Sequence, residues 1–219
     1  MPTSAYLQAV VFFLLASVAL FVSAGTVAIL DFWIYLAIFA TFYAAVSLGV
    51  DPDLLRERMR PGGQKPPLAL SLFSVVLFAH WIIAGLDRGR LHFSDHVPSS
   101  LRAFGLIAVA AGFALCFAAM RVNRFFSSVV RIQSDRGQYV VTTGPYAVIR
   151  HPGYIGAIVV IVASGIALGS WLSVAVLVIF SLPGLLYRVI IEDQTLMAEL
   201  PGYGDYAQRV RWRLIPGIW

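Results

Sequence analysis

The chain has 219 residues, of which 59% are hydrophobic and only 12% are charged, and its mean hydropathy is +0.82. This composition excludes an ordinary soluble domain and predicts a polytopic membrane protein. Because ~20 apolar residues span the ~30 Å hydrocarbon core, such segments fill most of the chain and leave no room for a separate soluble domain. The formal net charge of +5 then reflects topology and contact with anionic membrane lipids, and we expect no nucleic-acid partner.

Six apolar segments follow one another along the chain and predict an all-α bundle of membrane helices. The last two are separated only by Gly169 and Ser170, which predicts a tight helical hairpin beside the cytoplasmic surface. The fifth segment reaches only ~22 Å at ~1.5 Å per residue. We expect Pro183 and Gly184 to interrupt the sixth segment. Whether this hairpin fully crosses the membrane is therefore left open. The segments cover residues 5–24, 29–50, 67–86, 101–120, 154–168 and 171–190.

The distribution of Lys and Arg predicts the orientation in the membrane. An even number of segments puts both termini on one side, together with loops 51–66 and 121–153, and this side carries thirteen basic residues against three on the other. The positive-inside rule therefore predicts a multi-pass protein with both termini in the cytoplasm. We expect the membrane to be a bacterial inner membrane. The thirteen are Arg56, Arg58, Arg60, Lys65, Arg121, Arg124, Arg131, Arg136, Arg150, Arg188, Arg209, Arg211 and Arg213, and the three are Arg88, Arg90 and Arg102.

The cytoplasmic segment 140–156, VVTTGPYAVIRHPGYIG, is long, polar and punctuated by glycine and proline. Residues 142–145 predict a turn, and Pro152 is well placed as the first residue of a helix, with His151 at or near its N-cap. Free amides at such a helix start can bind an anionic group or polar ligand atoms. The same features are also typical of an interfacial helix start, with Arg150 against lipid phosphates and the tyrosines in the aromatic belt.

A second polar cluster, Arg188, Glu192 and Asp193, lies where the sixth segment emerges on the same side. Since the hairpin brings its two ends together, His151 and Glu192 are predicted neighbours. Adjacent carboxylates beside a low-dielectric region require a cation. Arg188, at the i,i+4 spacing from Glu192, is one candidate for that cation, and an ammonium group of a ligand is the other.

The only cysteine, Cys116, lies inside the fourth segment. A single cysteine excludes an intrachain disulfide and any cysteine-cluster metal site, and we expect no bound metal. Its position among apolar residues is typical of a packing role.

The string TGPYAVIRHPGYIG, followed after the apolar hairpin by RVIIEDQTLMAELPGYGDYAQRV and LIPGIW, resembles the isoprenylcysteine carboxyl methyltransferase family, to which the phospholipid N-methyltransferases are related. The likeness covers residues 123–219, and the loop DPDLLRERMRPGG also resembles a segment of bacterial members. It implies an integral membrane methyltransferase that uses S-adenosylmethionine. Residues 1–120 are then the N-terminal transmembrane helices, and residues 121–219 are the cofactor-binding catalytic region.

The resemblance also implies roles in cofactor binding. His151, Pro152 and Tyr154 match the RHPxY motif that lies against the nucleoside part of the cofactor. Glu192 matches the first acid of a Glu-Glu pair and is expected to hold the cofactor's amino group. The implied cofactor-binding residues are Val141, Thr143, Gly144, Tyr146, His151, Pro152, Tyr154 and Glu192.

Arg188, Asp193 and Arg213 are the implied catalytic residues. Asp193 stands at the second acid of the pair and is shorter than Glu by one methylene, whereas Arg213 belongs to a C-terminal closing segment with Tyr203 and Tyr206 and could touch an anionic substrate group. An ionised carboxylate or thiolate acceptor needs no general base. An amine or thiol acceptor needs one, and His151 and Asp193 are the candidates.

The implied acceptor is a lipophilic or membrane-partitioned molecule that enters from the bilayer. A prenylcysteine carboxylate, a lipid amine, a quinone-like ring and a thiol all remain open. Two other functions are also considered: an NADPH-dependent membrane reductase of the sterol-reductase type, whose C-terminal region has a similar architecture, and a non-enzymatic membrane scaffold. The acidic Glu192 argues against a polyphosphate-bearing cofactor, because such a cofactor requires nearby cations.

Overall fold

The computed structural model describes residues 3–63 and 68–219, and this part of the chain is helical and contains no strand. The all-α prediction is confirmed. Lys65 and Pro67, which enter the topology and segment predictions, lie outside the described residues. The helices within these ranges are α1 Thr3–Ala24, α2 Leu30–Gly49, α3 Pro52–Met59, α4 Leu68–Leu86, α5 Ser99–Val122, α6 Pro152–Leu168, α7 Trp171–Glu199 and α8 Tyr203–Arg209.

All six predicted apolar segments are helical where they are described. Within residues 3–63 and 68–219, four stretches are long and apolar enough to cross a membrane: α2, Leu72–Leu91, α5 and α7. Val10–Ala24 of α1 and α6 are shorter apolar helices. Large apolar side chains such as Phe104 and Phe180 are exposed on the outside of the bundle, as expected for contact with lipid. The chain is therefore a multi-pass integral membrane protein.

The expected interruption of the sixth segment is wrong. Pro183 lies inside α7, which is continuous and ends at Glu199 rather than at residue 190. A proline removes one backbone donor and costs about 3 kcal/mol in a helix interior. Unwinding the helix would instead leave backbone groups unpaired in hydrocarbon, each at a cost of several kcal/mol. As a result, Arg188, Glu192 and Asp193 all belong to one helix.

The tight hairpin between α6 and α7 is confirmed. Gly169 follows α6 with a left-handed φ of 79°, and the Ser170 side chain caps α7 by accepting a hydrogen bond from the Ser173 N–H at 3.2 Å. A Cβ added to Gly165 would lie 2.4 Å from the Val174 nitrogen, so only glycine permits this approach of the two helices. Small residues at such positions let membrane helices pack closely against each other.

The start of α6 is held against α5. A Cβ on Gly156 would lie 2.5 Å from the Gly112 carbonyl oxygen, and one on Gly112 would lie 2.7 Å from the Gly156 oxygen. Nearby, the Cys116 thiol donates to the Gly153 carbonyl at 3.3 Å. These backbone contacts fix the position of the RHPxY motif relative to the membrane helices.

The polar connections gather at the two ends of the bundle. At one end, Arg102 binds the carboxylate of Asp31 at 2.7 Å. At the other end, α3 packs through Leu54 against Val50, after α2, and Met120, near the end of α5. The basic residues assigned to opposite membrane sides thus lie at opposite ends. The second end also holds the start of α6, the end of α7, α8 and the tail, and contains the candidate site.

Candidate active site

A buried tyrosine anchors the turn that precedes α6. Residues Gly144–Ala147 form a single 3-10 turn, which Gly144 enters with a left-handed φ of 58°. The Tyr146 hydroxyl accepts a hydrogen bond from the Asn123 amide at 3.0 Å, and its backbone carbonyl accepts one from the Tyr206 hydroxyl at 2.8 Å. The turn is therefore held from the end of α5 and from α8.

The C-terminal tail closes over the start of α6. The N–H of Arg150 donates to the Trp212 carbonyl at 2.9 Å, and the N–H of His151 donates to the Arg213 carbonyl at 3.0 Å. His151 is the N-cap residue of α6 and Pro152 is its first residue, as predicted. The backbone amides of Arg150 and His151, just before α6, are thus bound to the protein's own tail.

Asp193 is the buried centre that joins these segments. Its side chain is 2% exposed and accepts four hydrogen bonds from groups on three other parts of the chain. The donors are Arg150 Nη2 at 3.2 Å, His151 Nε2 at 3.1 Å, the Tyr203 hydroxyl at 2.9 Å and Arg213 Nε at 2.7 Å. Burial and the negative charge of Asp193 raise the pKa of Tyr203, so this phenol remains a donor at neutral pH.

This geometry favours a positioning role for Asp193 over the proton-accepting role that the sequence left open. Both carboxylate oxygens already accept hydrogen bonds, and two of the four donors are guanidinium groups, which stabilise the ionised form. Arg213 is also engaged: besides Asp193 it contacts the Trp219 ring, with its guanidinium carbon 5.8 Å from the ring centroid. Asp193 and Arg213 therefore fix the tail in place.

Glu192 is in a different situation, although it is the adjacent residue. Its side chain is 28% exposed and accepts one hydrogen bond, from the Tyr154 hydroxyl at 2.6 Å. His151 Nδ1 lies 3.9 Å from Glu192 Oε1, which confirms the predicted proximity of these two residues. Burial raises the pKa of the nearby Tyr146 hydroxyl, the hydrogen bond from Asn123 lowers it, and the negative charge of Glu192 raises it further, so the net pKa is above its ordinary value.

Arg188 is not the cation that neutralises Glu192. It donates from Nε to the Tyr154 hydroxyl at 2.7 Å and from Nη1 to the Ser128 carbonyl at 2.6 Å. Among the described residues, His151 is the only side chain whose nitrogen lies within ion-pair distance of Glu192. The structure therefore brings Tyr146, His151 and Tyr154 together around the Glu192 carboxylate. Among the described residues, no arginine or lysine forms an ion pair with this carboxylate.

The remaining predicted residues lie just before the turn or at its first position. Val141 is partly buried, whereas Thr143, before the turn, and Gly144, its first residue, are exposed. An open apolar cavity of about 380 Å³ lies beside the turn and is lined by Pro145, Ile155 and Leu214, among others. The sequence analysis did not identify this cavity, because its lining comes from the turn, two helices and the tail.

The sequence analysis also missed the contribution of α3. Arg58 donates from Nη1 to the Phe126 carbonyl at 3.2 Å, and Glu57 binds Arg131 through two hydrogen bonds of 2.9 Å. Burial alone would raise the pKa of Glu57, but the hydrogen bonds from Arg131 and the Gly62 N–H lower it overall. These partners are 68 and 74 positions apart, so no local sequence signal could have indicated them.

The chain is similar to known proteins in sequence over part of its length and in fold over nearly all of it. Residues 103–198 match the model of the isoprenylcysteine carboxyl methyltransferase family. The fold is similar to the solved structure of the eukaryotic intramembrane Ras methyltransferase, isoprenylcysteine carboxyl methyltransferase, without a monobody. The TM-score is 0.67 at 21% sequence identity, over 94% of this chain and 74% of that one. No curated protein sequence matches the chain.

The matched range 103–198 contains the turn, the RHPxY motif and the acidic pair, whereas the structural similarity extends over nearly the whole chain. The reductase and scaffold alternatives receive no support from either comparison. The predicted resemblance is confirmed: residues 103–198, just under half of the chain, match the family model, and the membrane-helix fold is similar to that of the solved isoprenylcysteine carboxyl methyltransferase. The family match indicates that the chain is an integral membrane methyltransferase.

Proposed function

We propose that the protein transfers a methyl group from S-adenosylmethionine to a lipophilic acceptor with a carboxylate, such as a prenylcysteine. The observation that carries this proposal is the Glu192 carboxylate, which is partly exposed and has no arginine or lysine partner among the described residues. A carboxylate in this state fits an ammonium group of a ligand. Tyr154 and His151 hold Glu192 in place for that contact.

The residues around Glu192 fit the other parts of the cofactor. Glu192 binds the amino group, and the rings of Tyr146, His151 and Tyr154 provide stacking surfaces and attraction for a cation. When bound, the cofactor supplies an electrophilic methyl group on a positively charged sulfur. The chain's contribution is to position the two reactants and to exclude water, with residues 121–219 as the cofactor-binding region.

A carboxylate acceptor agrees with the chemistry of the neighbouring groups. An ionised carboxylate needs no general base, and Asp193, one of the two candidate bases, already accepts four hydrogen bonds. His151, the other candidate, is bound to Asp193 through Nε2. An amine or thiol acceptor would have to give up a proton to one of these engaged groups.

We also propose that the site lies on the cytoplasmic side of a bacterial inner membrane, and the charge distribution supports the cytoplasmic orientation. The described basic residues of loops 51–63 and 121–153 and of the tail lie at the same end of the bundle as Glu192, while Arg102 lies at the other. On this orientation the cofactor enters from the cytoplasm and the acceptor enters from the bilayer.

The test is the affinity of detergent-purified protein for S-adenosylmethionine, measured by isothermal titration calorimetry. We expect Glu192→Gln to weaken binding about 10- to 100-fold, because it removes a charge-assisted hydrogen bond to the amino group. Glu199→Gln, at the exposed end of the same helix, is the matched control and should bind like the wild type. Binding of NADPH in preference to S-adenosylmethionine, or equal affinities in both variants, would refute the proposal.

A further inference from the structure

Two arginines from distant parts of the chain converge on one short segment. Arg58 of α3 donates to the Phe126 carbonyl at 3.2 Å, and its guanidinium lies 5.2 Å from the centroid of the Phe126 ring. Arg188 of α7 donates to the Ser128 carbonyl at 2.6 Å. The Ser128 hydroxyl in turn donates to the Arg58 carbonyl at 3.0 Å. Residues 126–128 therefore hold both guanidinium groups in the same place.

Neither guanidinium is neutralised by the protein. In the part of the chain that the structure describes, neither Arg58 nor Arg188 forms an ion pair with an Asp or Glu, whereas Arg131 and Arg136 close by pair with Glu57 and Asp53. Burial, and then the charge of Arg188, lowers the pKa of Arg58. Two like charges held together away from bulk water are unfavourable unless an anion joins them.

The position of Arg58 is fixed by its own helix. Glu57, the preceding residue, accepts hydrogen bonds from Arg131 Nε and Nη2, both at 2.9 Å, and from the Gly62 N–H at 3.2 Å. Leu54 is fully buried between the ends of α2 and α5. Arg58 is thus presented by a helix with fixed contacts on two sides, rather than by a mobile loop.

The arginine pair adjoins the methyl-donor site through one side chain. Arg188 donates to the Tyr154 hydroxyl at 2.7 Å, and this hydroxyl donates to Glu192 at 2.6 Å. Tyr43 of α2 and Cys116 of α5 are close enough for their ionised forms to affect the charge state of Arg58. Arg58 therefore lies close to residues of the membrane helices α2 and α5, the side from which a lipophilic molecule arrives.

We propose that Arg58 and Arg188 together bind the anionic group of the methyl acceptor, so that α3 supplies a specificity-determining residue from outside residues 103–198. This inference rests on the proposed function. A guanidinium pair binds a carboxylate with up to four donated hydrogen bonds and repels an ammonium group. The acceptor is then an anion, which separates a prenylcysteine-like carboxylate from a lipid amine.

The experiment measures binding of two probes, N-acetyl-S-farnesylcysteine and its carboxamide, to the full-length protein in detergent. The probes share the lipid and differ in charge, so the ratio of their affinities reports recognition of the carboxylate. We expect the wild type to bind the carboxylate more tightly and Arg58→Gln to weaken that binding about 10- to 100-fold. Binding of the carboxamide and of S-adenosylmethionine should not change in this variant.

Two further variants control for structure and charge. Arg56→Gln changes a neighbouring residue of α3 whose side chain is 67% exposed, and it should bind both probes like the wild type. Arg58→Lys keeps a positive charge and should restore part of the preference for the carboxylate, even if Arg58→Gln lowers the stability of the fold.

Four outcomes would overturn the inference: a wild type without preference for the carboxylate, an unchanged Arg58→Gln, an equal loss for both probes, or a loss of S-adenosylmethionine affinity. The last would mean that Arg58 binds the carboxylate of the cofactor instead. Failure of the proposed function is separate, because it would appear as a wild type that does not bind S-adenosylmethionine at all.

Discussion

The adjacent acids Glu192 and Asp193 are expected to respond in opposite ways to the same chemical change. Asp193→Asn should destabilise the fold, and Glu192→Gln should weaken cofactor binding while leaving the fold intact. Both substitutions replace a carboxylate with a carboxamide of nearly the same shape. Any difference between the variants therefore comes from the surroundings of each residue.

The magnitude for Asp193→Asn follows from its contacts. The Asp193 side chain is 2% exposed and accepts four hydrogen bonds, two of them from guanidinium groups. Removing one partner from a buried ion pair costs about 3–5 kcal/mol. For a chain of 219 residues this lowers the thermal midpoint by roughly 6–20 °C, at about 2–4 °C per kcal/mol. Glu192 is partly exposed and keeps an oxygen for Tyr154, so Glu192→Gln should cost less than about 1 kcal/mol.

The assay combines thermal unfolding in detergent with limited proteolysis. Asp193 connects α7 to Tyr203 of α8 and to Arg213 of the tail, so Asp193→Asn should also expose residues 200–219 to protease. Titration with S-adenosylmethionine completes the comparison. The reasoning is refuted if Asp193→Asn unfolds at the wild-type temperature, or if Glu192→Gln loses as much thermal stability as Asp193→Asn.

Three further predictions concern the surroundings of the site. Tyr154→Phe removes the hydroxyl that holds Glu192, and calorimetry should show about tenfold weaker binding of S-adenosylmethionine; an unchanged affinity would contradict this. Gly156→Ala places a Cβ 2.5 Å from a backbone oxygen of α5 and should cost about 1–3 kcal/mol in thermal unfolding. Gly204→Ala, whose Cβ meets only a sulfur at 3.9 Å, should be nearly neutral. In the fold, burial raises the pKa of Glu57, but the hydrogen bonds from Arg131 outweigh burial and leave the pKa below its ordinary value of 4.5. The contribution of ionised Glu57 to fold stability is therefore present above pH 4.5 and is lost as the pH falls through the lower folded pKa. Glu57→Gln should therefore flatten the loss of thermal stability on acidification, and an unaltered acid slope would argue against this ion pair.

Much of the architecture could be predicted from local patterns in the sequence. Long apolar runs require helices in a bilayer, because hydrocarbon offers no partner to backbone groups. The short link at Gly169 and Ser170 requires a hairpin, and the hairpin by itself predicts that His151 and Glu192 are neighbours. The motif around Pro152 was specific enough to indicate the family. These inferences depend only on residues that are close in sequence or joined by one tight turn.

The tertiary structure decided what local patterns leave open. Pro183 predicts a break, yet α7 continues through it, because an unwound segment in a bilayer would cost more than one lost hydrogen bond. Arg188 has the spacing to pair with Glu192, but Tyr154 and Ser128 bind it instead. The position of Arg58 depends on partners tens of residues away.

The acidic pair shows the division between sequence and structure most clearly. By itself, the sequence predicted that two carboxylates stand at the end of an apolar helix and that a cation must accompany them. Only the packing of α8 and the tail decided that Arg150 and Arg213 bind Asp193 and leave Glu192 accessible. Adjacent residues on a helix point in directions about 100° apart. One of them can therefore face the buried tail while the other stays partly exposed.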